Sequence, residues 1–343
     1  MVGVRCLIAV ALCVVLAESH LAQVLRVEVE LTLITATVTD VTGRIVPNLT
    51  SRDFLLAEDG IPQAIAHLSF DQDSPVSYGI LIDRSGSMSC SLETALQTAD
   101  SVVQSLGRND EAFLMTFAGV TKTLSDFTSD KNNLRQALRS REFHTVDSTT
   151  NLYSAMEQAL AKIKASKHSK RALLIFSDGH DMNSSLPEWV KAVARNSGVP
   201  LYGIGVVGLP KNKKPIARTS RSPNEGPANV DVSRRTSYSL PAGTPVDASC
   251  KWELIVSPNF VVVANETGGR VFRIPIDVSS GELAGRTRAT AKNISTEVAG
   301  QYSLGYYSQA PKDRLRAIHV RAVNPAYSVR TTKSALSSNP FVR

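Results

Sequence analysis

The hydrophobic positions in the N-terminal part of the chain recur with a period of two. In residues 25–72 the alternation begins with four apolar residues that share one face of a strand: Val27, Val29, Leu31 and Leu33. Such alternation predicts a half-buried β-strand, and Asp59-Gly60 predicts a hairpin turn between two further strands. We expect a small β module that needs strands from elsewhere in the chain to close its core.

The pattern changes at residue 75, where short apolar runs begin to alternate with amphipathic segments. Strands are predicted for runs that are apolar on both faces, at 78–82, 113–117, 173–176 and 201–207. Apolar stripes of helical period predict helices at 92–106, 152–163, 189–194 and 258–266. Strands of this kind are typical of a parallel sheet that helices cover on both faces. Residues 75–275 are therefore predicted to form a doubly wound α/β domain with a mostly parallel sheet.

Two further segments complete the predicted organisation. Residues 209–250 are rich in Pro, Ser, Arg and Lys and have no apolar period, so we expect a disordered or loosely ordered insertion in the α/β domain. Residues 296–335 alternate again and are expected to join the N-terminal strands in a β-sandwich-like module. No helix or strand is predicted for the polar stretch at residues 276–295.

The distribution of charge argues against nucleic-acid binding. The formal net charge is +7, and residues 209–250 alone carry seven Lys and Arg against three Asp and Glu. The excess is concentrated in one segment, and aromatic residues that could stack on bases are not interleaved with it. We hypothesise that its basic residues attract acidic partners; a solvated tether without a role is the alternative. These residues are Lys211, Lys213, Lys214, Arg218 and Arg221.

The first 22 residues are typical of a secretory signal peptide. Arg5 supplies the positive charge, residues 6–16 form a short apolar core, and Ser19 or Ala22 offers a cleavage site. An uncleaved anchor is the alternative. No later run is long enough to span a membrane, so we expect a secreted, periplasmic or cell-surface protein. Nothing in the sequence indicates an oligomeric state.

Of the four cysteines, two would remain after removal of the signal peptide. Cys90 lies shortly after the first predicted strand of the α/β domain, and Cys250 closes the basic insertion. An even number of cysteines in an oxidising compartment favours a disulfide between them. Two free buried thiols are the alternative.

Oxygen-bearing side chains follow the predicted strands of the α/β domain. Asp83, Ser85 and Ser87 stand at alternate positions directly after one strand, and Asp178 follows another. Because ligands of an open α/β sheet bind beyond the carboxyl ends of its strands, these side chains are expected to lie close together. Carboxylates and hydroxyls suit a hard cation, with Mg²⁺ the first choice and Mn²⁺ or Ca²⁺ the alternatives.

This pattern resembles the metal-ion-dependent adhesion site of von Willebrand factor type A domains, which have a Rossmann-like fold. The family motif is present as Asp83-x-Ser85-x-Ser87, then Thr150, then Asp178. The resemblance implies that Ser85, Ser87 and Thr150 bind the ion directly, whereas the two aspartates act largely through water. Thr150 is preferred to Thr149 because the sequence from Thr150 to Tyr153 aligns with the Thr-x-Leu-Tyr run of the family. More broadly, the chain resembles bacterial secreted proteins related to this family, of acidobacterial type.

The ligand set predicts binding rather than catalysis. Hydroxyl ligands leave much of the charge of the ion uncompensated, so an acidic side chain of a partner protein is the expected occupant of the open position. The first alternative is a scaffold for envelope complexes with a structural or empty metal site. An unrecognised enzyme is less favoured, because Ser85 stands where an aspartyl phosphatase needs a carboxylate and no Gly-x-Ser-x-Gly elbow is present.

Overall fold

The computed structural model describes residues 30–183, 185–208, 244–245, 255–276, 278–308 and 316–335. The predicted signal peptide, most of the basic insertion and Cys250 lie outside these residues. The strands are β1 (Glu30–Thr39), β2 (Phe54–Glu58), β3 (Ile61–Gln63), β4 (Ile65–Phe70), β5 (Val76–Asp83), β6 (Glu111–Phe117), β7 (Thr121–Thr128), β8 (Thr145–Val146), β9 (Lys170–Phe176), β10 (Leu201–Val207), β11 (Thr244–Pro245), β12 (Arg270–Pro275), β13 (Gln301–Ser308), β14 (Arg316–Ala322), β15 (Ser328–Thr331) and β16 (Ser334–Ala335). The helices are α1 (Leu92–Ser105), α2 (Lys131–Ala137), α3 (Leu152–Ile163), α4 (Glu188–Asn196), α5 (Pro258–Glu266) and α6 (Ser280–Ala299).

A six-stranded sheet forms the centre of the α/β domain, in the order β12-β10-β9-β5-β6-β7. Five strands run parallel, and only the edge strand β7 is antiparallel to its neighbour. All eight residues of β5 and all seven of β6 are buried, because helices cover both faces. One face packs against α1, α2 and α6, and the other packs against α3, α4 and α5. This arrangement confirms the predicted fold class.

Two four-stranded sheets form a β-sandwich from the two ends of the described chain. Their orders are β15-β1-β13-β4 and β16-β14-β2-β3, so each sheet combines strands from before and after the α/β domain. The hairpin between β2 and β3 turns at Asp59-Gly60, where both residues have positive φ angles of 48° and 83°. Apolar side chains from both sheets share one core: Ile34, Ala36, Val38, Phe54, Leu56, Tyr302, Leu304, Tyr306, Ile318 and Val320.

The buried face of β1 differs from the prediction. The even-numbered positions of β1 are buried through Ile34, Ala36 and Val38, whereas Leu33 is 46% exposed. The apolar residues of this segment occupy odd-numbered positions up to Leu33 and even-numbered positions from Ile34 onward. The side chains at the even-numbered positions face the second sheet. Since successive side chains of a strand alternate between faces, this choice turns Leu33 outward.

The 20-residue helix α6 occupies a stretch to which the sequence analysis assigned no element. Its buried face consists largely of small or polar-looking residues, among them Thr287 and Ala291, so the apolar period is weak. Ser279 caps the helix by accepting a hydrogen bond from the backbone N–H of Glu282. The C-terminal strands accordingly begin at Gln301, not at residue 296.

Two adjacent glycines lie at close backbone contacts: Gly268 faces the sandwich, and Gly269 faces β10 within the α/β domain. A Cβ on Gly268 would lie 2.6 Å from the backbone of Thr331, and one on Gly269 would lie 1.9 Å from the carbonyl oxygen of Leu201. Gly268 also has a φ of +80°, which favours glycine. The neighbouring Thr267 forms an isolated β-bridge with Thr332.

We expect the substitution Gly269→Ala to lower the free energy of unfolding by about 3 kcal/mol or more, because a methyl group at this position forces the backbones of β10 and β12 apart. Gly285→Ala is the matched control: its Cβ would meet no atom within 4 Å, and a helical alanine stabilises by about 0.5–1 kcal/mol. Urea denaturation of both variants measures the difference. Equal stabilities would show that the two backbones do not pass this closely.

A buried ion pair at one end of the sandwich core supplies a second prediction. Arg316 is 0% exposed and donates from Nη1 to Glu58 Oε1 at 2.6 Å, and the Tyr306 hydroxyl donates to the same oxygen. Glu58→Gln leaves the arginine charge without a counterion and should cost about 3–5 kcal/mol of unfolding free energy. Replacing both Glu58 and Arg316 by Met should recover most of that loss. A double variant less stable than Glu58→Gln in urea denaturation would contradict this expectation.

Candidate metal centre

The two aspartates of the predicted metal site lie at the ends of neighbouring parallel strands. Ile82 of β5 pairs with Phe176 of β9, so Asp83 is level with Ser177 and Asp178 lies one residue beyond. Asp83 is 0% exposed and Asp178 is 8% exposed. The Ser177 hydroxyl donates to Asp83 Oδ2 at 2.7 Å, which fixes the Asp83 carboxylate at the sheet edge.

The first loop presents two serine hydroxyls. The backbone N–H of Ser85 donates to Asp83 Oδ1 at 2.8 Å, and a short 3-10 helix, Gly86–Cys90, begins directly afterwards. The Oγ atoms of Ser85 and Ser87 are 3.2 Å apart. Adjacent ligands of an octahedral Mg²⁺ are separated by about 3 Å, so the two hydroxyls are spaced as one such ion requires.

The second loop is tied to the first by backbone contacts. The N–H of Asp147 donates to the carbonyl of Arg84 at 3.1 Å, and Ser85 forms a parallel β-bridge with Asp147. The Thr149 hydroxyl donates to Asp147 Oδ1 at 3.1 Å. Within the described residues, the Thr150 hydroxyl has no hydrogen-bond partner. The two threonine hydroxyls therefore differ in their hydrogen bonds, but a hydroxyl that donates a hydrogen bond keeps its lone pairs, so either oxygen can serve as a ligand of an ion.

The third loop follows β9 and contacts the second. The N–H of Met182 donates to the carbonyl of Thr150 at 2.9 Å. Asp181 Oδ2 accepts from the N–H of Tyr153 at 3.0 Å, which caps helix α3 directly after the Thr150 loop. The carbonyl of Asp178 accepts from Ser257 at the start of α5. The loops that carry all five predicted ligands are thus joined to one another at one sheet edge.

The turn between β6 and β7 supports the second loop from its other side. Asn151 donates from its backbone to Ala118 at 2.9 Å and from Nδ2 to the carbonyl of Gly119 at 2.7 Å. A Cβ on Gly119 would lie 2.2 Å from Thr149 Oγ1. A side chain at this position would therefore require the Thr149 side chain to move.

The electrostatics of the site leave negative charge without compensation. Burial and, second to it, the nearby charge of Asp178 together raise the pKa of Asp83 to about 7. In the part of the chain that the structure describes, neither carboxylate forms an ion pair. A bound divalent cation would offset both charges, and the carboxylates and hydroxyls present are ligands that Mg²⁺ prefers. Among the described residues, no group of three or more His, Cys, Asp or Glu side chains is placed to hold a metal ion. Only two of the five predicted ligands are of these residue types, and both are carboxylates.

Sequence analysis missed several residues that shape this site. Ser177, Gly119 and Asp147 position ligands or loops through contacts between distant segments, which no local pattern indicates. The sequence feature that came closest to indicating them was the Ser-Asp-Gly run directly after β9, which contains Ser177.

Two further residues near these loops have the following surroundings. His180 is exposed. Cys90 takes part in a disulfide, and Cys250, its predicted partner, lies outside the described residues.

Solved structures similar to this chain include three of low sequence identity. An aerotolerance-related membrane protein from Bacteroides fragilis is 22% identical, with a TM-score of 0.42, and the match covers 65% of this chain and 98% of that one. BatB from Bacteroides thetaiotaomicron is 19% identical, with the same TM-score and coverage. Proximal thread matrix protein 1 from the mussel byssus, with a zinc-occupied metal-ion-dependent adhesion site, is 12% identical, with a TM-score of 0.43 over 71% of this chain and 50% of that one. No curated protein sequence matches the chain significantly.

The family comparison agrees with the fold. The sequence profile of the von Willebrand factor type A domain matches residues 79–238, which include the ends of β5 and β9 and the loop between them. The chain carries a von Willebrand factor type A domain.

Proposed function

We propose that this protein binds a partner protein through a divalent cation held by Asp83, Ser85, Ser87, Thr150 and Asp178. The type A domain supports a general protein-binding role, and the dependence on a cation is our addition. The observation that carries it is the pair of buried aspartates, which have no cationic protein group beside them in the described residues and lie next to three predicted hydroxyl ligands from two loops.

The ligand set favours Mg²⁺, with Mn²⁺ or Ca²⁺ as alternatives. When bound, the ion would supply a positive charge that serine and threonine hydroxyls do not neutralise, together with a coordination position at which a carboxylate of the partner could replace water. Ser87 and Thr150 are both partly exposed, so this position is accessible from solvent. We infer that the partner contributes an acidic side chain and that adhesion, not catalysis, is the outcome.

We further propose that the protein acts outside the cytoplasm. Two observations support this: residues 1–22 have the composition of a signal peptide, and Cys90 takes part in a disulfide, which is typical of an oxidising compartment. Among the described residues, none of the helices is both long enough and apolar enough to cross a membrane. The mass of the protein recovered from its native cells tests the proposal, because removal of the signal peptide shortens the chain by about 22 residues.

Affinity capture tests the proposed binding directly. The full chain is immobilised and exposed to an extract of the native cell envelope in Mg²⁺ and, separately, in a chelator, and Asp83→Asn is run beside it. Partners that are retained in Mg²⁺ but lost in both other conditions support the proposal. Partners retained equally in chelator contradict it. Mg²⁺ binding without any captured partner would favour a structural metal and the scaffold alternative.

Asp83→Asn should separate metal binding from folding. The substitution removes one of two like charges, so in chelator the variant should be at least as stable as the wild type. Wild type alone should gain unfolding free energy with Mg²⁺, by about 2.7 kcal/mol at a concentration 100 times the dissociation constant. Thermal unfolding with and without Mg²⁺ measures both effects. A variant that still responds to Mg²⁺ as strongly as the wild type would place the ion elsewhere.

The two neighbouring threonines offer a matched test of the ligand assignment. Thr150→Val removes a hydroxyl that has no partner in the described residues, and it should weaken Mg²⁺ binding roughly tenfold or more. Thr149→Val removes the hydrogen bond to Asp147 and should weaken Mg²⁺ binding less. Isothermal titration of the two variants decides between them, and the reverse order of affinities would transfer the ligand role to Thr149.

A further inference from the structure

A groove runs along helix α1 on the face of the central sheet that α1, α2 and α6 cover. The outward side of α1 forms its floor, one wall is residues 135–144, and the other wall is residues 284–292 of α6. Its volume is about 1150 Å³. We call it the α1 groove; it shares no residue with the metal centre.

The shape of the α1 groove matches a helix of about three turns. The groove follows α1 from Glu93 to Ser105, which corresponds to about 18 Å at 1.5 Å per residue. At one end the Ser105 and Ser295 hydroxyls are 2.7 Å apart and join α1 to α6. Arg135 Nε donates to Asp100 Oδ1 at 2.6 Å and joins α1 to the opposite wall. Contacts on both sides of α1 thus hold the two walls in position.

The charges along the walls are predominantly positive and uncompensated. Arg139, Arg288 and Lys292 are exposed, and none of them forms an ion pair within the described residues. His144 lines the same groove. Of the two acidic side chains, Asp100 is paired with Arg135 and only Glu93 is exposed. The unpaired cations on the walls therefore outnumber the unpaired acidic groups, and the field inside the groove favours an anionic ligand.

Apolar side chains lie between these cations. The groove is lined along its length by five apolar residues that α1, α6 and the other wall contribute: Leu96, Leu138, Phe143, Ala284 and Ala291. Leu96 and Ala284 are partly exposed, whereas the other three are largely buried in the core, so the apolar surface that a ligand can reach lies mainly at Leu96 and Ala284. A ligand that is anionic throughout would leave this apolar surface without a partner, whereas a helix with one apolar face and acidic flanks satisfies both features.

We propose that the α1 groove binds an acidic amphipathic helix of a partner protein. The undescribed segments of this chain do not have the charge to occupy it: residues 209–243 and 309–315 are net basic, and the most acidic segment, 246–254, has two acidic residues against one lysine. Complementary charge on the partner would mainly accelerate association and set its dependence on salt. The proposal does not depend on a metal at Asp83, so each can fail without the other.

Fluorescence anisotropy with a designed probe tests the proposal. The probe is a labelled peptide of about 15 residues, a length that covers the groove, with Leu at helical spacing and Glu on the flanking positions. It is titrated with the full chain in chelator, which removes any contribution from the metal centre. Two control peptides replace every Glu by Lys or every Leu by Ser. We expect binding of the first peptide alone, and weaker binding as salt increases.

Paired charge reversals locate the binding site. Arg288→Glu with Lys292→Glu should weaken the affinity for the acidic peptide roughly tenfold or more. The control, Arg273→Glu with Arg321→Glu, makes the same change of charge at exposed positions outside the groove and should change the affinity less than about twofold. Thermal unfolding of both double variants verifies that they fold.

Four results would overturn the proposal. The acidic peptide fails to bind, the Leu-to-Ser peptide binds as well as the parent peptide, or both double variants lose affinity equally. The fourth is tighter binding to vesicles of anionic phospholipid than to the peptide, with the same dependence on Arg288 and Lys292, which would assign the groove to a membrane surface instead.

Discussion

The structure of the metal centre depends on placing two carboxylates side by side in a buried position. Strands β5 and β9 are adjacent and parallel, so Asp83 and Asp178 leave the sheet at nearly the same level. Burial and mutual repulsion disfavour two charged forms there, as the raised pKa of Asp83 shows. The described residues supply hydrogen bonds to Asp83 but no positive charge. A cation at this sheet edge would offset that imbalance, and the proposal of protein binding through the cation is based on the ligands that would surround it.

The sequence predicted the central sheet well, for a physical reason. Strands buried on both faces are apolar without alternation, and this pattern is visible in a single sequence. The carboxyl ends of such strands then indicate where polar residues converge. Helix α6 escaped prediction because residues such as Thr287 and Ala291 pack tightly without looking hydrophobic. The exposure of Leu33 was also unpredictable, because whether the odd-numbered or the even-numbered side chains of β1 are buried depends on which face of the strand packs against the second sheet.

The supporting contacts of the site could not be predicted in the same way. Ser177 bonds to Asp83 across 94 positions of sequence, and Asn151 bonds to Gly119 across 32. Such pairs are set by which strands become neighbours, which is a property of the whole sheet. The choice of Thr150 over Thr149 depended on a resemblance alone at the level of sequence. In the structure the Thr149 hydroxyl donates to Asp147, and the choice of Thr150 stays a prediction.

The central claim is that one divalent ion lies among three loops at the end of the parallel sheet. Diffraction from a crystal grown with Mn²⁺, recorded at the manganese absorption edge, locates such an ion without assumptions about its ligands. The account predicts one anomalous peak within about 2.5 Å of the hydroxyl oxygens of Ser85, Ser87 and Thr150. An ordered site with no peak there, or a peak only elsewhere on the protein, would contradict it.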